Sequence, residues 1–307
     1  MVKYVATAMA LRGFSYGPLM RGLYRKLGNT VGNRRRSDGP MPRFYLERVK
    51  RMLRLVAKHD IIRDGDRILE LGTGWLHWEA LTLRLFYDIE AVLYDVWDNR
   101  QLGGLKNYLR QLGTMLGEVD GLSEEQIRRA RALVERIVTV ESFEELYKLL
   151  GFEYVVDSTG SLERFADQSF QLVVSAGVLE HIKREALPVL VAEMRRLLKP
   201  GGWALHSIDT SDHLSHYDTK ESAKYYLTLS EPAWTHLFDN EVQHINRVQR
   251  GEWLQLFGAN GFELQDEDST RTNIANLKLS SRFASLDKRD LECTVVRLAF
   301  KGPNVLS

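Results

Sequence analysis

The chain has 307 residues, of which 44% are hydrophobic and 27% charged, and its formal net charge is +1. This composition is typical of a soluble globular protein, long enough for one large α/β domain with additions. The single cysteine, Cys293, excludes an internal disulfide and a thiolate metal cluster, and it favours a reducing compartment. No apolar run reaches the roughly 18 residues that a bilayer span needs. The first 23 residues lack a signal-peptide core, so we expect a cytoplasmic protein.

The near-neutral total hides a basic region close to the N-terminus. Between Arg21 and Asp60 there are only three acids against twelve basic residues, namely Arg21, Arg25, Lys26, Arg34, Arg35, Arg36, Arg43, Arg48, Lys50, Arg51, Arg54 and Lys58. Such a stretch could face RNA phosphates, lipid headgroups or a phosphorylated substrate, or it could be a solvated helical surface. We assign residues 1–60 to a basic helical extension and residues 61–307 to the main domain.

Two segments of this extension have distinct patterns. Residues 29–42 are polar and contain glycine and proline, which predicts a loop. Residues 43–58 predict an amphipathic helix that packs against the sheet, because apolar residues recur at helical spacing: Leu46, Val49, Met52, Leu53 and Val56.

Strand and helix patterns alternate after residue 60. The predicted strands are Arg67–Gly72, Ala91–Asp95, Phe152–Asp157, Phe170–Ser175, Trp203–Asp209, Phe262–Asp266 and Leu291–Phe300. The first five are short apolar runs separated by helix-length segments, which indicates βαβ units and a parallel sheet buried on both faces. The last two are closer to alternating, as in an edge hairpin.

One connection is longer than a βαβ crossover needs. More than fifty residues separate Asp95 from Phe152, whereas about a dozen would complete the crossover. An apolar stripe and two capping signatures that begin at Ser123 and Ser142 predict helices here; the stripe is Leu105, Tyr108, Leu109, Leu112 and Leu116. We therefore predict a helical insertion over residues 98–151, which either covers a bound ligand or elaborates the packing.

The first strand opens into a glycine loop. Glu70 lies within the apolar strand, and Gly72 and Gly74 follow it, so a ligand can approach the backbone closely. A dinucleotide fingerprint would place a third glycine at the position of His77, which disfavours NAD or FAD. An acid directly before the loop suits a cofactor that carries an ammonium group.

The segment Glu70-Leu71-Gly72-Thr73-Gly74 resembles the first motif of class I S-adenosylmethionine-dependent methyltransferases. Further motifs follow in the family's order: Asp95 at the end of strand two, Asp157 to Phe170 around strand three, Leu179-Glu180-His181-Ile182, and Leu198-Lys199-Pro200-Gly201-Gly202. The resemblance implies an α/β fold, a Rossmann-like, mostly parallel seven-stranded sheet of order 3-2-1-4-5-7-6 with helices on both faces. It also implies S-adenosyl-L-methionine as cofactor. Leu76 replaces a glycine that is common in the family's loop.

The resemblance also assigns residues to the cofactor. Asp95 would bind the ribose hydroxyls, with Asp98 as an alternative, and residues 160–162 would flank the adenine. The full predicted set is Glu70, Gly72, Thr73, Gly74, Asp95, Gly160, Ser161, Leu162 and Ser175.

The segment after strand five contains the candidate residues that would act on the methyl acceptor. Residues 206–218 contain three histidines and three aspartates, and a His–Asp pair there could deprotonate a hydroxyl. Our candidate catalytic residues are His213, Asp209 and His181, although a structural role, bonding a helix turn, is favoured for His181. The same cluster could instead hold a divalent metal or be a polar surface loop; we assign no metal site.

The wider pattern is similar to uncharacterised bacterial methyltransferases of glycan and natural-product gene clusters. It suggests O-methylation of a sugar or other small hydroxylated acceptor. Two alternatives remain: an RNA methyltransferase that uses the basic region, and a cofactor-binding subunit without catalysis. Peripheral membrane contact and the oligomeric state are left open.

Overall fold

The computed structural model describes residues 2–304 and divides into two compact units. Residues 29–175, 193–205 and 301–304 form what we call the β1–β4 unit. Residues 2–28, 176–192 and 206–300 form the β6–β7 unit. The predicted domain division at residue 61, and the residues beyond 304 that it includes, stay a prediction.

The strands form one seven-stranded sheet of order β3-β2-β1-β4-β5-β7-β6. Their bounds are β1 Arg67–Leu71, β2 Glu90–Asp95, β3 Phe152–Val156, β4 Phe170–Ala176, β5 Leu198–Asp209, β6 Glu263–Arg271 and β7 Cys293–Lys301. β1 pairs in parallel with both β2 and β4, so that Leu69 lies between Val92 and Val173. The predicted strands, their order and the mostly parallel character of the sheet are confirmed.

The helices are α1 Val2–Ser15, α2 Gly17–Asp38, α3 Arg43–His59, α4 Trp78–Arg84, α5 Leu102–Met115, α6 Glu124–Ile137, α7 Phe143–Leu150, α8 Leu187–Leu197, α9 Glu231–Ala233, α10 Arg250–Ala259 and α11 Lys288–Leu291. A π-helical turn, Trp234–Phe238, follows α9. No helix within residues 2–304 is apolar over enough of its length to cross a bilayer.

α3 confirms the predicted amphipathic pattern. Each of the five apolar residues of that pattern is buried. The helix ends at His59, and the capping residue Asp60 adopts a left-handed conformation and donates its backbone N–H to the Val56 carbonyl oxygen.

The predicted loop over residues 29–42 is wrong. α2 continues to Asp38 and only residues 39–42 lie outside a helix. The reason is tertiary contact: Asn107 donates hydrogen bonds to the carbonyl oxygens of Arg36 and Gly39, at 2.7 and 2.8 Å, and Gln111 also donates to Gly39. These bonds from α5 hold the end of a helix that its own composition favours only weakly.

The long connection after β2 is helical, as predicted. α5, α6 and α7 lie within it, and the apolar stripe of α5 is buried. Ser123 and Gln126 form a reciprocal capping box at the start of α6, and Ser142 accepts a hydrogen bond from the Glu145 amide at the start of α7. The sequence therefore predicted both helix starts.

The β6–β7 unit has an apolar core of its own. α1 contributes Tyr4, Ala8 and Leu11, which are buried together with a set from later in the chain: Leu214, Tyr226, Leu227, Trp234, Phe238, Ile245, Ile274, Phe283 and Leu291. Most of the aromatic members contact one another edge-on or tilted. The first helix is thus integrated into this unit's core.

Candidate active site

The loop after β1 is shaped by backbone hydrogen bonds to β2. Gly72 and Gly74 both have positive φ, 64° and 60°, a conformation that favours glycine. The amides of Gly72 and Thr73 donate to the Tyr94 carbonyl oxygen at 2.8 and 3.2 Å. The loop conformation is therefore fixed against the last residues of β2.

Asp95 holds the same loop through its carboxylate. Its Oδ2 accepts a hydrogen bond from the Gly74 amide at 2.8 Å, and its Oδ1 accepts one from the Trp97 amide at 3.1 Å. The residue is 7% exposed, and burial raises the pKa of its carboxyl. A carboxylate has about four acceptor positions, so the geometry leaves capacity for further donors such as ligand hydroxyls. Asp98, the alternative, instead pairs with Arg100 at 2.7 Å.

Glu70 is oriented toward the start of α4. It is 2% exposed, and its Oε2 accepts a hydrogen bond from the Ala80 amide at 2.8 Å. Burial, together with the charge of Glu79, raises the pKa of the Glu70 carboxyl well above its usual range. A nearby cation would favour ionisation of this carboxyl, which is the chemistry of an ammonium-binding position.

His77 stands where a dinucleotide site would have glycine, and it connects the loop to the insertion. It has a positive φ of 50° and is fully buried. Its Nδ1 is 2.7 Å from Thr73 Oγ1, and its Nε2 is 3.0 Å from the hydroxyl of Tyr147 in α7. Burial, reinforced by the charge of Arg100, lowers the pKa of His77 to about 3, so the ring is neutral.

The insertion's aromatic residues extend this contact, which our sequence reasoning missed. Tyr147 stacks on Tyr154 of β3, and the Arg100 guanidinium lies 4.3 Å from the Tyr154 ring centroid. The signal in the sequence was the aromatic spacing of Phe143 and Tyr147 on one face of α7. Only the fold shows that this face meets His77.

The end of α2 covers the other side of the loop, a second contact that sequence reasoning missed. The Arg36 guanidinium lies 3.7 Å from the ring centroid of Trp75, and Trp75 Nε1 donates to Asn29 Oδ1 at 3.0 Å. Arg36 also donates to Gln101 Oε1 at 2.9 Å. The predicted basic extension therefore reaches the glycine loop.

The loop predicted to flank the adenine, residues 160–162, also contacts the end of β2. The Tyr94 hydroxyl donates to the Ser161 carbonyl oxygen at 3.0 Å, Gly160 has a φ of 74°, and Leu162 is buried. A Cβ on Gly160 would lie 3.9 Å from Val96, so this face is close to the β2 end. Ser175 is buried near the end of β4.

The predicted base lies in the short turn after β5. His213 Nε2 is 3.6 Å from Asp209 Oδ2, which is an ion-pair distance, and this nitrogen has no hydrogen-bond partner among residues 2–304. The His213 side chain is 15% exposed. Burial alone would lower the pKa of His213, but the Asp209 carboxylate, assisted by Asp212, raises it. Burial likewise opposes ionisation of Asp209, yet His213 and Ser211 lower its pKa to about 2. The pair therefore joins an ionised carboxylate to an imidazole of increased basicity.

Glu180 lies beneath this pair and was not among our candidates. It is 2% exposed; Oε1 accepts from the Asp209 amide at 3.1 Å, and the buried Oε2 has no hydrogen-bond partner among residues 2–304. Burial raises its pKa to about 8, so it is protonated at neutral pH. His181 is exposed; its ring centroid is 5.2 Å from that of His213, and its Nδ1 is 2.7 Å from the His244 carbonyl oxygen.

A buried polar network supports the turn that carries His213. Asp212 is fully buried; its Oδ2 accepts hydrogen bonds from the Tyr4 hydroxyl at 2.6 Å and from the Tyr226 amide at 2.8 Å. Lys224 is also fully buried and donates to the Thr210 carbonyl oxygen at 2.6 Å. Burial lowers the pKa of Lys224 to about 7.

The structure thus places the predicted cofactor residues in the β1–β4 unit and the predicted catalytic residues in the β6–β7 unit. Within residues 2–304, no group of three or more His, Cys, Asp or Glu side chains is arranged to hold a metal ion.

Comparison with known proteins gives a family and a set of similar folds. The family described as "Methyltransferase domain" matches residues 38–267. A search among curated proteins found no match.

Many solved structures are similar to this chain. One is phosphoethanolamine N-methyltransferase 2 of Haemonchus contortus in complex with S-adenosyl-L-methionine, at 15% identity and a TM-score of 0.46, with 82% of this chain and 52% of that chain covered. Another is a SAM-dependent methyltransferase of Methanosarcina mazei, at 15% identity and a TM-score of 0.45, with 80% and 97% covered. A third is the PH0226 protein of Pyrococcus horikoshii, at 16% identity and a TM-score of 0.44, with 84% and 91% covered.

The family match spans more than half of the chain, and the sheet has the strand order that the sequence motifs implied. The glycine loop, the buried acid that precedes it and the acid at the end of β2 fit a nucleoside cofactor with an ammonium group. The chain belongs to the methyltransferase-domain family and is a class I S-adenosylmethionine-dependent methyltransferase.

Proposed function

We propose that this methyltransferase methylates a hydroxyl group on a sugar or another small hydroxylated acceptor. The observation that carries the proposal is the pairing of His213 with the ionised Asp209 at 3.6 Å. A hydroxyl loses its proton on methylation and is a weak nucleophile while it keeps it, so a positioned base accelerates the reaction. A neutral imidazole beside an ionised carboxylate, which stabilises the imidazolium once it forms, is such a base.

The cofactor residues have separate roles in this proposal. Asp95 accepts hydrogen bonds from the ribose hydroxyls in addition to the one from the Gly74 amide. The buried Glu70 carboxyl, whose ionisation the ammonium group favours, pairs with that group. Gly72, Thr73 and Gly74 present backbone to the amino-acid end. Gly160, Ser161, Leu162 and Ser175 are proposed to line the adenine side.

The proton and the methyl group move as follows. The bound cofactor supplies a methyl group on a positively charged sulfur. His213 accepts the acceptor's hydroxyl proton on Nδ1 while Nε2 stays beside Asp209. Methyl transfer to the acceptor oxygen would leave the cofactor as a neutral thioether, and Asp209 stabilises the imidazolium that His213 becomes. His181, next to His213, contributes to acceptor binding.

The pH dependence follows from the direction of the His213 pKa. Neighbouring carboxyls raise this pKa, so the neutral, base-competent form of the ring appears at higher pH than for an ordinary histidine. Turnover should therefore be low in acid and should rise with pH through and above the usual histidine range.

The proposal is tested by identifying the atom that receives the methyl group. The protein is incubated with methyl-labelled cofactor and fractionated small-molecule and glycan extracts, and the product is located by mass spectrometry and NMR. A methoxy signal on a sugar or small hydroxylated molecule supports the proposal. A methylamine product, label on RNA, or cofactor binding with no acceptor found in any fraction contradicts it.

A further inference from the structure

The first two helices present apolar side chains to solvent. In α2, Leu19, Leu23, Leu27 and Val31 recur every four residues, and they are 84%, 44%, 51% and 52% exposed. Residues spaced in this way lie along one helix face. α2 has no buried residue at all. We call these four side chains the α2 stripe.

α1 also exposes apolar side chains on one face, but fewer of them. Tyr4, Ala8 and Leu11 are buried in the core of the β6–β7 unit. Val2 and Met9, on another face of the same helix, are 84% and 67% exposed. Exposed apolar groups gathered on a face indicate an interaction surface more strongly than single scattered ones.

The charge around the stripe is almost entirely positive. Residues 2–38 contain a single acid, Asp38, and eight basic residues: Lys3, Arg12, Arg21, Arg25, Lys26, Arg34, Arg35 and Arg36. At 3.6 residues per turn, Lys26 and Arg35 fall on opposite margins of the stripe, and both are exposed. A leucine stripe with basic margins is the composition of a helix that lies in a membrane interface.

Val31, the last residue of the stripe, also lines a cleft. The cleft is open, has a volume of about 780 Å³, and is lined by two arginines, Arg34 and Arg35, against one acid, Asp38, with Tyr108 among the other residues. Guanidinium groups bind phosphate oxygens well, and the apolar lining suits the glycerol and upper acyl region of a lipid. The cleft is therefore suited to an anionic headgroup at the end of an inserted helix.

We propose that α2, assisted by the exposed face of α1, docks this protein on an anionic lipid surface. The leucines insert among the acyl chains while the arginines contact headgroup phosphates. RNA would use the basic residues but not the leucine stripe. A second copy of the chain would bring two strongly basic helices together, and like charges would oppose that association.

The test is co-sedimentation of the full chain with vesicles. Vesicles of phosphatidylcholine alone are compared with vesicles containing phosphatidylglycerol. Binding should require the anionic lipid and weaken as salt is raised. Leu19→Ala with Leu23→Ala should weaken binding at least about tenfold, because apolar area no longer enters the interface. Alanine preserves helix propensity, so circular dichroism should be unchanged.

Matched variants separate the stripe from general effects. Leu237→Ala with Val189→Ala removes two apolar side chains that are also exposed, 56% and 67%, and should leave vesicle binding unchanged. Arg34→Gln with Arg35→Gln should weaken binding about tenfold or more, because two positive charges near the anionic surface are removed.

The proposal would be overturned by equal binding to neutral vesicles, by binding that is insensitive to the stripe substitutions, or by a lipid-free dimer that those substitutions dissociate. Displacement by RNA with no effect of the leucine changes would also overturn it and would favour a nucleic-acid surface. Vesicle binding requires neither cofactor nor acceptor, so its failure is distinguishable from failure of the proposed methyl transfer.

Discussion

The loop after β1 and the turn after β5 are held in place by different kinds of contact. The first is fixed by backbone amides at Gly72, Thr73 and Gly74, which donate to the Tyr94 carbonyl oxygen and the Asp95 carboxylate. The second is supported by buried ionisable side chains brought from distant parts of the chain. These are Tyr4, Glu180 and Lys224, together with Asp209 and Asp212 of the turn itself.

This difference has consequences for how each region responds to change. A loop held by backbone donors keeps its shape over a wide pH range, because most of those groups do not titrate. The turn after β5 depends on the charge states of groups whose pKa values burial has displaced. We therefore expect cofactor binding to tolerate pH better than turnover does.

The largest expected effect is on turnover. His213→Ala should lower the methyl-transfer rate about 10²–10⁴-fold, the usual contribution of a general base. Affinity for S-adenosylmethionine, measured by calorimetry, should stay at the wild-type value, since His213 lies in the β6–β7 unit and the cofactor residues lie in the β1–β4 unit. His236→Ala, an exposed histidine, is the matched control. A wild-type rate in His213→Ala would remove the base from the mechanism.

The second effect concerns the cofactor. Asp95→Ala should weaken S-adenosylmethionine binding by about 1.5–3 kcal/mol, because hydrogen bonds to a charged group are lost. Asp98→Ala should change it much less, because Asp98 is already paired with Arg100. Calorimetry on both variants compares the two acids directly. If Asp98→Ala proved the more damaging, the ribose site would have to be reassigned.

The third effect is on stability, through the buried network that supports the turn. Tyr4→Phe removes the hydrogen bond to Asp212 and should lower the free energy of unfolding by about 1.5 kcal/mol, the low end for a charged acceptor. We expect the low end because Asp212 keeps the Leu214 and Tyr226 amides as donors. Urea denaturation measures the change. Tyr16→Phe, at an exposed tyrosine, should be neutral.

The last effect is on the pH dependence of stability. The pKa of Glu180 is about 8 in the folded chain, against about 4.5 when exposed. Between these values the folded state binds more protons, so this group makes stability fall as pH rises from about 4.5 to 8. Glu180→Gln should remove that slope, so that the Tm of the variant rises relative to that of the wild type by about 5–10 °C between pH 4.5 and pH 8. A constant Tm difference would show that Glu180 ionises normally.

The strands and the insertion were predictable because their signals are local. Short apolar runs marked β1 to β5, and Ser123 and Ser142 marked the starts of α6 and α7. The end of α2 was not predictable in this way. Its glycines and polar residues indicate a loop, and hydrogen bonds from Asn107 and Gln111, some seventy positions later, keep it helical.

Some residues of the candidate site could likewise be predicted from the sequence, and others could not. Asp95 and the glycines of the first loop could be proposed from order and spacing, as could the His213–Asp209 pair four residues apart. The position of Glu180 next to that pair could not be predicted. It depends on how the segment that carries Glu180, 29 residues before Asp209, folds against Asp209.

The sequence by itself determined the class of fold, the glycine loop and the acids at the strand ends, because each depends on residues that are neighbours in the chain and on the geometry of a strand. Tertiary structure alone decided which side chains surround them: Tyr147 against His77, Arg36 over Trp75, and Tyr4 on Asp212. Burial then displaced their pKa values, and burial depends on the whole packed chain, since solvent is excluded by many segments together.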